Sequence, residues 1–177
     1  MDGAGEIAAQ ASVQMADHGA DGRDAKTWER AAIASLHLLM AQVDAVLVRA
    51  LAVDGTSGTV LPIDSNGEPI APALLYSDPV ADASIVASVA AWAPAGSAAR
   101  GATSGLAKAL VFQGLPRLAR VIHQADWIAG RLTGRERQHC AAAERLADRD
   151  HARGIGVGPL GDRLKGGGEV VGFDVEA

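Results

Sequence analysis

At 177 residues the chain is the size of one ordinary domain, long enough to bury a core but short for a two-lobed enzyme. Hydrophobic residues make up 49% of it and aromatic ones only 3%, so a core has to be assembled mainly from alanine, valine, leucine and isoleucine. The formal net charge of -5, with no run of Lys or Arg, excludes the concentrated basic face that nucleic-acid binding requires.

Cys140 is the single cysteine, so neither an internal disulfide nor a cysteine pair at zinc-ligand spacing is possible, and a reducing cytoplasm is the expected compartment. The start Met1-Asp2-Gly3-Ala4-Gly5-Glu6 has neither the basic beginning nor the apolar centre of a signal peptide. No apolar stretch is long enough to span a bilayer, so a soluble protein without a membrane partner is expected.

In chain order, residues 6–15 place Ile7, Ala9, Ala11, Val13 and Met15 on one side, the period of a half-buried strand. After the turn chemistry of residues 17–22, Asp24 is a helix cap. Behind it Trp28, Ala31, Ala32, Leu36, Leu39, Met40 and Val43 recur at helical spacing. Residues 45–53 read as a strand covered on both faces, ending at Asp54-Gly55. Residues 59–63 and 70–75 read as two arms of a hairpin, with Asn66-Gly67 supplying the positive φ its turn needs. Helices are predicted over residues 81–92, stopped at Pro94, over 104–112, and over 118–132, closed by Gly134. Beyond residue 134 charges mix with alanine, and residues 154–172 are glycine-rich with few apolar anchors, so 135–177 is expected to be a poorly ordered tail.

Four segments carry chemistry. Val53-Asp54-Gly55-Thr56-Ser57-Gly58-Thr59 sets small polar side chains just past a strand's carboxyl end. It is followed by Leu74-Leu75-Tyr76-Ser77-Asp78, by Thr103-Ser104-Gly105-Leu106-Ala107-Lys108, and by His123-Gln124-Ala125-Asp126-Trp127 running on to Arg131-Leu132-Thr133-Gly134. In this order they resemble the amino-terminal domain of the FGGY carbohydrate kinases, the ketopentose kinases most of all, over residues 1–134. The resemblance implies an α/β, ribonuclease H-like (actin-like ATPase) domain, a mixed sheet flanked by helices, which this chain would carry in incomplete form.

That resemblance implies sugar contacts from Asp54, Thr56 and Ser57, and polyol discrimination suits such groups, because the wrong sugar leaves buried donors and acceptors unpaired. Asp78 matches an acid near the sugar, although the family's following basic residue is replaced here by Pro79-Val80; a helix cap is the competing reading. Gln124 and Asp126 are further pocket candidates. Trp127 reads as packed between helix and sheet, while His123, Asp126 and Trp127 would share one helical face. Thr103, Ser104 and Lys108 are as well explained by a capped, solvated helix.

Phosphoryl transfer needs a phosphate loop, a magnesium-holding acid and a base at the attacking hydroxyl. The family's phosphate loop would precede Met1 and its catalytic aspartate would follow residue 134. None of Asp148, Asp150, Asp162 or Asp174 has a matching context. ATP and Mg2+ are therefore expected of the full-length family and not of this chain alone, and no catalytic or metal-binding residue is assigned. The expected partner is a small-molecule sugar, with self-association through the incomplete sheet. The alternative is a non-catalytic sugar-binding or interaction fragment. The change of character after Gly134 reads as a shifted frame or gene remnant. Gly156-Val157-Gly158-Pro159-Leu160-Gly161 matches a dinucleotide fingerprint only formally, since no strand and helix flank it.

Overall fold

The computed structural model describes residues 6–134 and the strand Glu169–Val171; the rest of the expected tail, 135–177, lies outside the described residues, as does the 156–161 glycine motif. Asp24 starts the longest helix, α1 (Ala25–Met40), by accepting the Lys26 amide at 2.9 Å. Neither glycine nor proline interrupts it, and Ala25, Trp28, Ala31, Ala32, Ser35 and Leu39 form its buried stripe. Val43 falls beyond the helix end.

Two strands make the centre. β2 (Val60–Ile63) pairs antiparallel with β3 (Arg120–His123), Val60 opposite His123 and Ile63 opposite Arg120. Leu61, Ile63 and Ile122 face α1 and α4 (Gln124–Thr133), joining Trp28, Ala32, Trp127 and Ile128 in the main core. The opposite face, at Val60 and His123, meets Gly105 at the start of α3 (Gly105–Phe112). Cover on both faces explains why all of β2 is buried. α2 (Ala83–Trp92) packs on α3 in a smaller core of Val80, Val89 and Ala107. Asp82 caps α2, Ser104 caps α3, and Gly134 ends α4 in the left-handed conformation.

Four expectations need correction. Residues 6–14 carry no regular secondary structure and Met15 opens a 3-10 turn (Met15–Asp17); Ala9, Ala11, Val13 and Met15 are half-buried but Ile7 is 69% exposed, and the segment pairs with no strand among the described residues. The run 45–53 begins as a 3-10 turn, Ala45–Leu47, because Asp44 captures the Val46 amide. Its strand, β1 (Val48–Leu51), is largely exposed and pairs in parallel with β4 (Glu169–Val171), so it is not covered on both faces. The returning arm, 70–75, makes only the Val60–Leu74 bridge, with Ile63–Pro69 beside it. Prolines account for this: Pro62 lacks a donor on the edge facing that arm, and Pro69 and Pro72 remove two more. The turn itself forms as expected, with Gly67 at φ 84°.

The fourth correction splits the helix expected over 118–132. Arg120-Val121-Ile122-His123 is a strand, and the helix starts only at Gln124. The β-branched pair Val121-Ile122 suits a pleated surface, and β2 offers a ladder that local periodicity cannot reveal. The molecule is thus mixed α/β, with four helices, one antiparallel pair and one parallel pair among the described residues.

Trp127 is held tightly. Only 2% exposed, it donates its indole N–H to the Gly67 carbonyl at 3.0 Å, tying α4 to the hairpin turn. Lys26 and Arg131 lie over its ring at 5.6 and 5.7 Å, and both are neutralised by Glu29 and Glu68.

Candidate functional site

The segment after β1 turns back on itself before entering β2. Asp54 is exposed, and its carboxylate accepts the Gly55 amide at 2.8 Å. Gly55 passes so close to α4 that a Cβ there would stand 3.2 Å from the Ala125 Cβ and backbone nitrogen. The Thr56 amide donates to Gln124 Oε1 at 3.3 Å. The Thr59 amide then donates to the Thr56 carbonyl at 3.1 Å and closes a turn through exposed Ser57 and half-buried Gly58.

A shallow hollow opens beside this segment. Trp28, Val53, Ala125 and Ile128 give it an apolar floor, and Asp54, Gly55 and Gln124 its polar side. Its cavity volume is about 20 Å3, room for about one water molecule and far below the roughly 300–1,000 Å3 of small-molecule sites.

The second segment is stitched to the first. Buried Thr59 accepts the Tyr76 amide on its hydroxyl at 3.0 Å. Lys108, 0% exposed, donates to the carbonyls of Gly58, Leu75 and Tyr76 at 2.9, 2.6 and 3.1 Å. All three ammonium donors are used. Burial lowers the Lys108 pKa, an effect that the charge of Asp78 opposes. The Asp78 carboxylate receives Arg23 through both oxygens and also accepts the Leu75 amide at 2.7 Å. The Arg23 hydrogen bond holds the Asp78 pKa down at about 2, assisted by the Leu75 amide.

The candidates are therefore distributed unevenly. Asp54 and Gln124 line the hollow and Thr56 touches Gln124, whereas Ser57, Asp78 and Asp126 do not line it. Asp78 belongs to an ion pair and is not a helix cap, since Asp82 caps α2. Asp126 is half-buried in the first turn of α4, where the helix dipole favours a carboxylate. His123 ends β3, so it does not share a helical face with Asp126 and Trp127. Trp127 is a core residue, as expected.

Sequence reading missed two residues. The solvated-helix reading of Lys108 is wrong, and its signal was a lone charge inside Gly105-Leu106-Ala107-Lys108-Ala109-Leu110-Val111-Phe112, an otherwise apolar helix. Arg23 gave no signal, because its partner Asp78 lies 55 positions away. Among the described residues no three His, Cys, Asp or Glu side chains stand together as a metal set. Comparison with protein-family models finds none that matches the chain.

Proposed function

We propose that this chain is a sugar-holding piece of an FGGY-type carbohydrate kinase, an incomplete ribonuclease H-like amino-terminal domain. In its full-length relatives the γ-phosphoryl of ATP would pass to a ketopentose resembling ribulose or xylulose. One observation carries the reading: four segments picked out by resemblance meet around Gly58. Gln124 reaches Thr56 across 68 positions, and Lys108 reaches Gly58 across 50 and Tyr76 across 32. The hollow beside them is too small to enclose a sugar, and its support for the reading is chemical: an apolar floor beside polar groups that could meet hydroxyls at the edge.

The residues present do not fit Mg2+·ATP. Glu29 and Glu68 are committed to Lys26 and Arg131, Asp78 to Arg23, and no metal set assembles among the described residues. No phosphoryl-transfer step is therefore assigned to the described residues. A cytoplasmic location goes with this reading. So does self-association through β1, whose sole strand partner among the described residues is β4.

Isothermal titration with ribulose, xylulose and glycerol, run beside a coupled ADP-release assay, tests it. Ketopentose binding without ADP release supports the proposal. Turnover by the purified chain would overturn the inactive-piece reading, and absence of binding by every sugar would overturn the sugar reading altogether.

A further inference from the structure

We infer that Lys108 is a positioning residue for the polyol rim, its ammonium fixing the Ser57-Gly58 turn against the Leu75–Tyr76 backbone; this rests on the sugar reading above. A lysine ammonium is a compact point charge that keeps its hydration unless all three donors are replaced. Here all three are replaced by main-chain carbonyls from two separate segments, and the side chain is wholly buried. Nothing else observed joins the Gly58 carbonyl to α3. The neighbouring link, Tyr76 amide to Thr59 hydroxyl, fixes the next residue along, so two consecutive positions of the rim segment are held to the same turn.

The far side of that turn is fixed in its own right. Arg23 grips Asp78, Asp78 accepts the Leu75 amide, and the Asp78 amide donates to the Leu75 carbonyl at 3.0 Å. Lys108 thus couples a rim that must present hydroxyl-binding groups to a turn held by its own hydrogen bonds and ion pair. Its contribution is preorganisation of Thr56 and Ser57 and not contact with sugar, so its loss shows in affinity when the chain remains folded.

The test compares Lys108→Met, which keeps the bulk and deletes the charge, with Val89→Ala, which loosens the α2–α3 core without touching the ammonium. At a temperature where both variants are folded, Lys108→Met should weaken ketopentose binding about tenfold or more and Val89→Ala by less than about twofold. Amide signals of Ser57, Gly58 and Tyr76 should move in Lys108→Met alone. Unchanged affinity in Lys108→Met, or equal loss in Val89→Ala, overturns the inference. Should Lys108→Met fail to fold, the wild-type protein decides: the Lys108 Nζ protons should exchange slowly and show couplings to the carbonyl carbons of residues 58, 75 and 76. Exchange as fast as that of an exposed lysine overturns it. If the wild type binds no ketopentose the sugar reading fails, while the Nζ couplings still report separately on the link.

Discussion

β1 and β2 are both four-residue strands of mainly aliphatic sequence, Val48-Arg49-Ala50-Leu51 and Val60-Leu61-Pro62-Ile63, and their fates are opposite. Leu51 is 43% exposed and Leu61 is 0% exposed. The difference lies in what covers them. β2 has β3 on one edge, α1 and α4 on one face and α3 on the other, whereas β1 has a single short parallel partner. The rim hangs between the two, secured at Gly58 and Thr59 beside the buried strand and led in by an exposed one. On the proposed reading such an edge takes its geometry from its buried end, where Lys108 and Thr59 hold it, and not from β1.

The sharpest way to break the comparison is at the core behind β2. Trp127→Ala should cost about 3–5 kcal/mol, since it empties a large core site, leaves the Gly67 carbonyl without its indole donor and removes the ring from beneath Lys26 and Arg131. Urea unfolding measures it, and a loss below about 1 kcal/mol would mean the core is not centred there. The same method compares the strands directly: Leu61→Ala should cost about 2–5 kcal/mol and Leu51→Ala no more than about 0.5. Equal costs would show β1 covered in solution.

Smaller is the expected effect at the rim. Gly55→Ala must push back the start of α4, where Ala125 stands 3.2 Å from the new Cβ, at about 1–3 kcal/mol. It should also disturb the Thr56–Gln124 contact, readable as loss of protection of the Thr56 amide from hydrogen exchange. Unchanged stability and protection would place Gly55 farther from α4.

Acid should act more weakly. Asp78 is held at about 2 by the Arg23 hydrogen bond, against an ordinary 3.8, and Glu68 is lowered by Lys26 and Asp64 by the amides of Glu68 and Asn66. Carboxylates depressed in the folded state stabilise it above their ordinary values and lose that contribution as pH falls toward the folded ones. The urea midpoint should therefore drop as pH falls from about 4 to about 2, less steeply in Asp78→Asn. Salt should shrink the Asp78 share, because Arg23 is partly exposed. A midpoint insensitive to pH across that window would contradict the ion-pair assignment.

Much of the local structure was legible. Asp24 before an uninterrupted periodic run, Asn66-Gly67 between aliphatic arms, Ser104 as a cap and Gly134 as a stop each act through neighbours within a few residues. What failed depends on distant partners. β3 hid inside a helical period because only β2 makes residues 120–123 a strand. The arm at 70–75 falls short of a full ladder, and Pro62, Pro69 and Pro72 are the residues that argue against one. Of the site, the Asp54 and Gln124 side of the hollow was named from sequence, whereas its apolar floor at Trp28 and the links through Lys108 and Arg23 join elements that only the fold brings together.

Chemical-shift mapping of the whole chain with xylulose or ribulose tests the central claim, that four distant segments build one polyol-binding rim. Saturable shifts are expected at the amides of Asp54, Thr56 and Ser57 and at the Gln124 side chain, with β1 and α2 unmoved. No saturable shift, or shifts confined to residues away from the hollow, would contradict it.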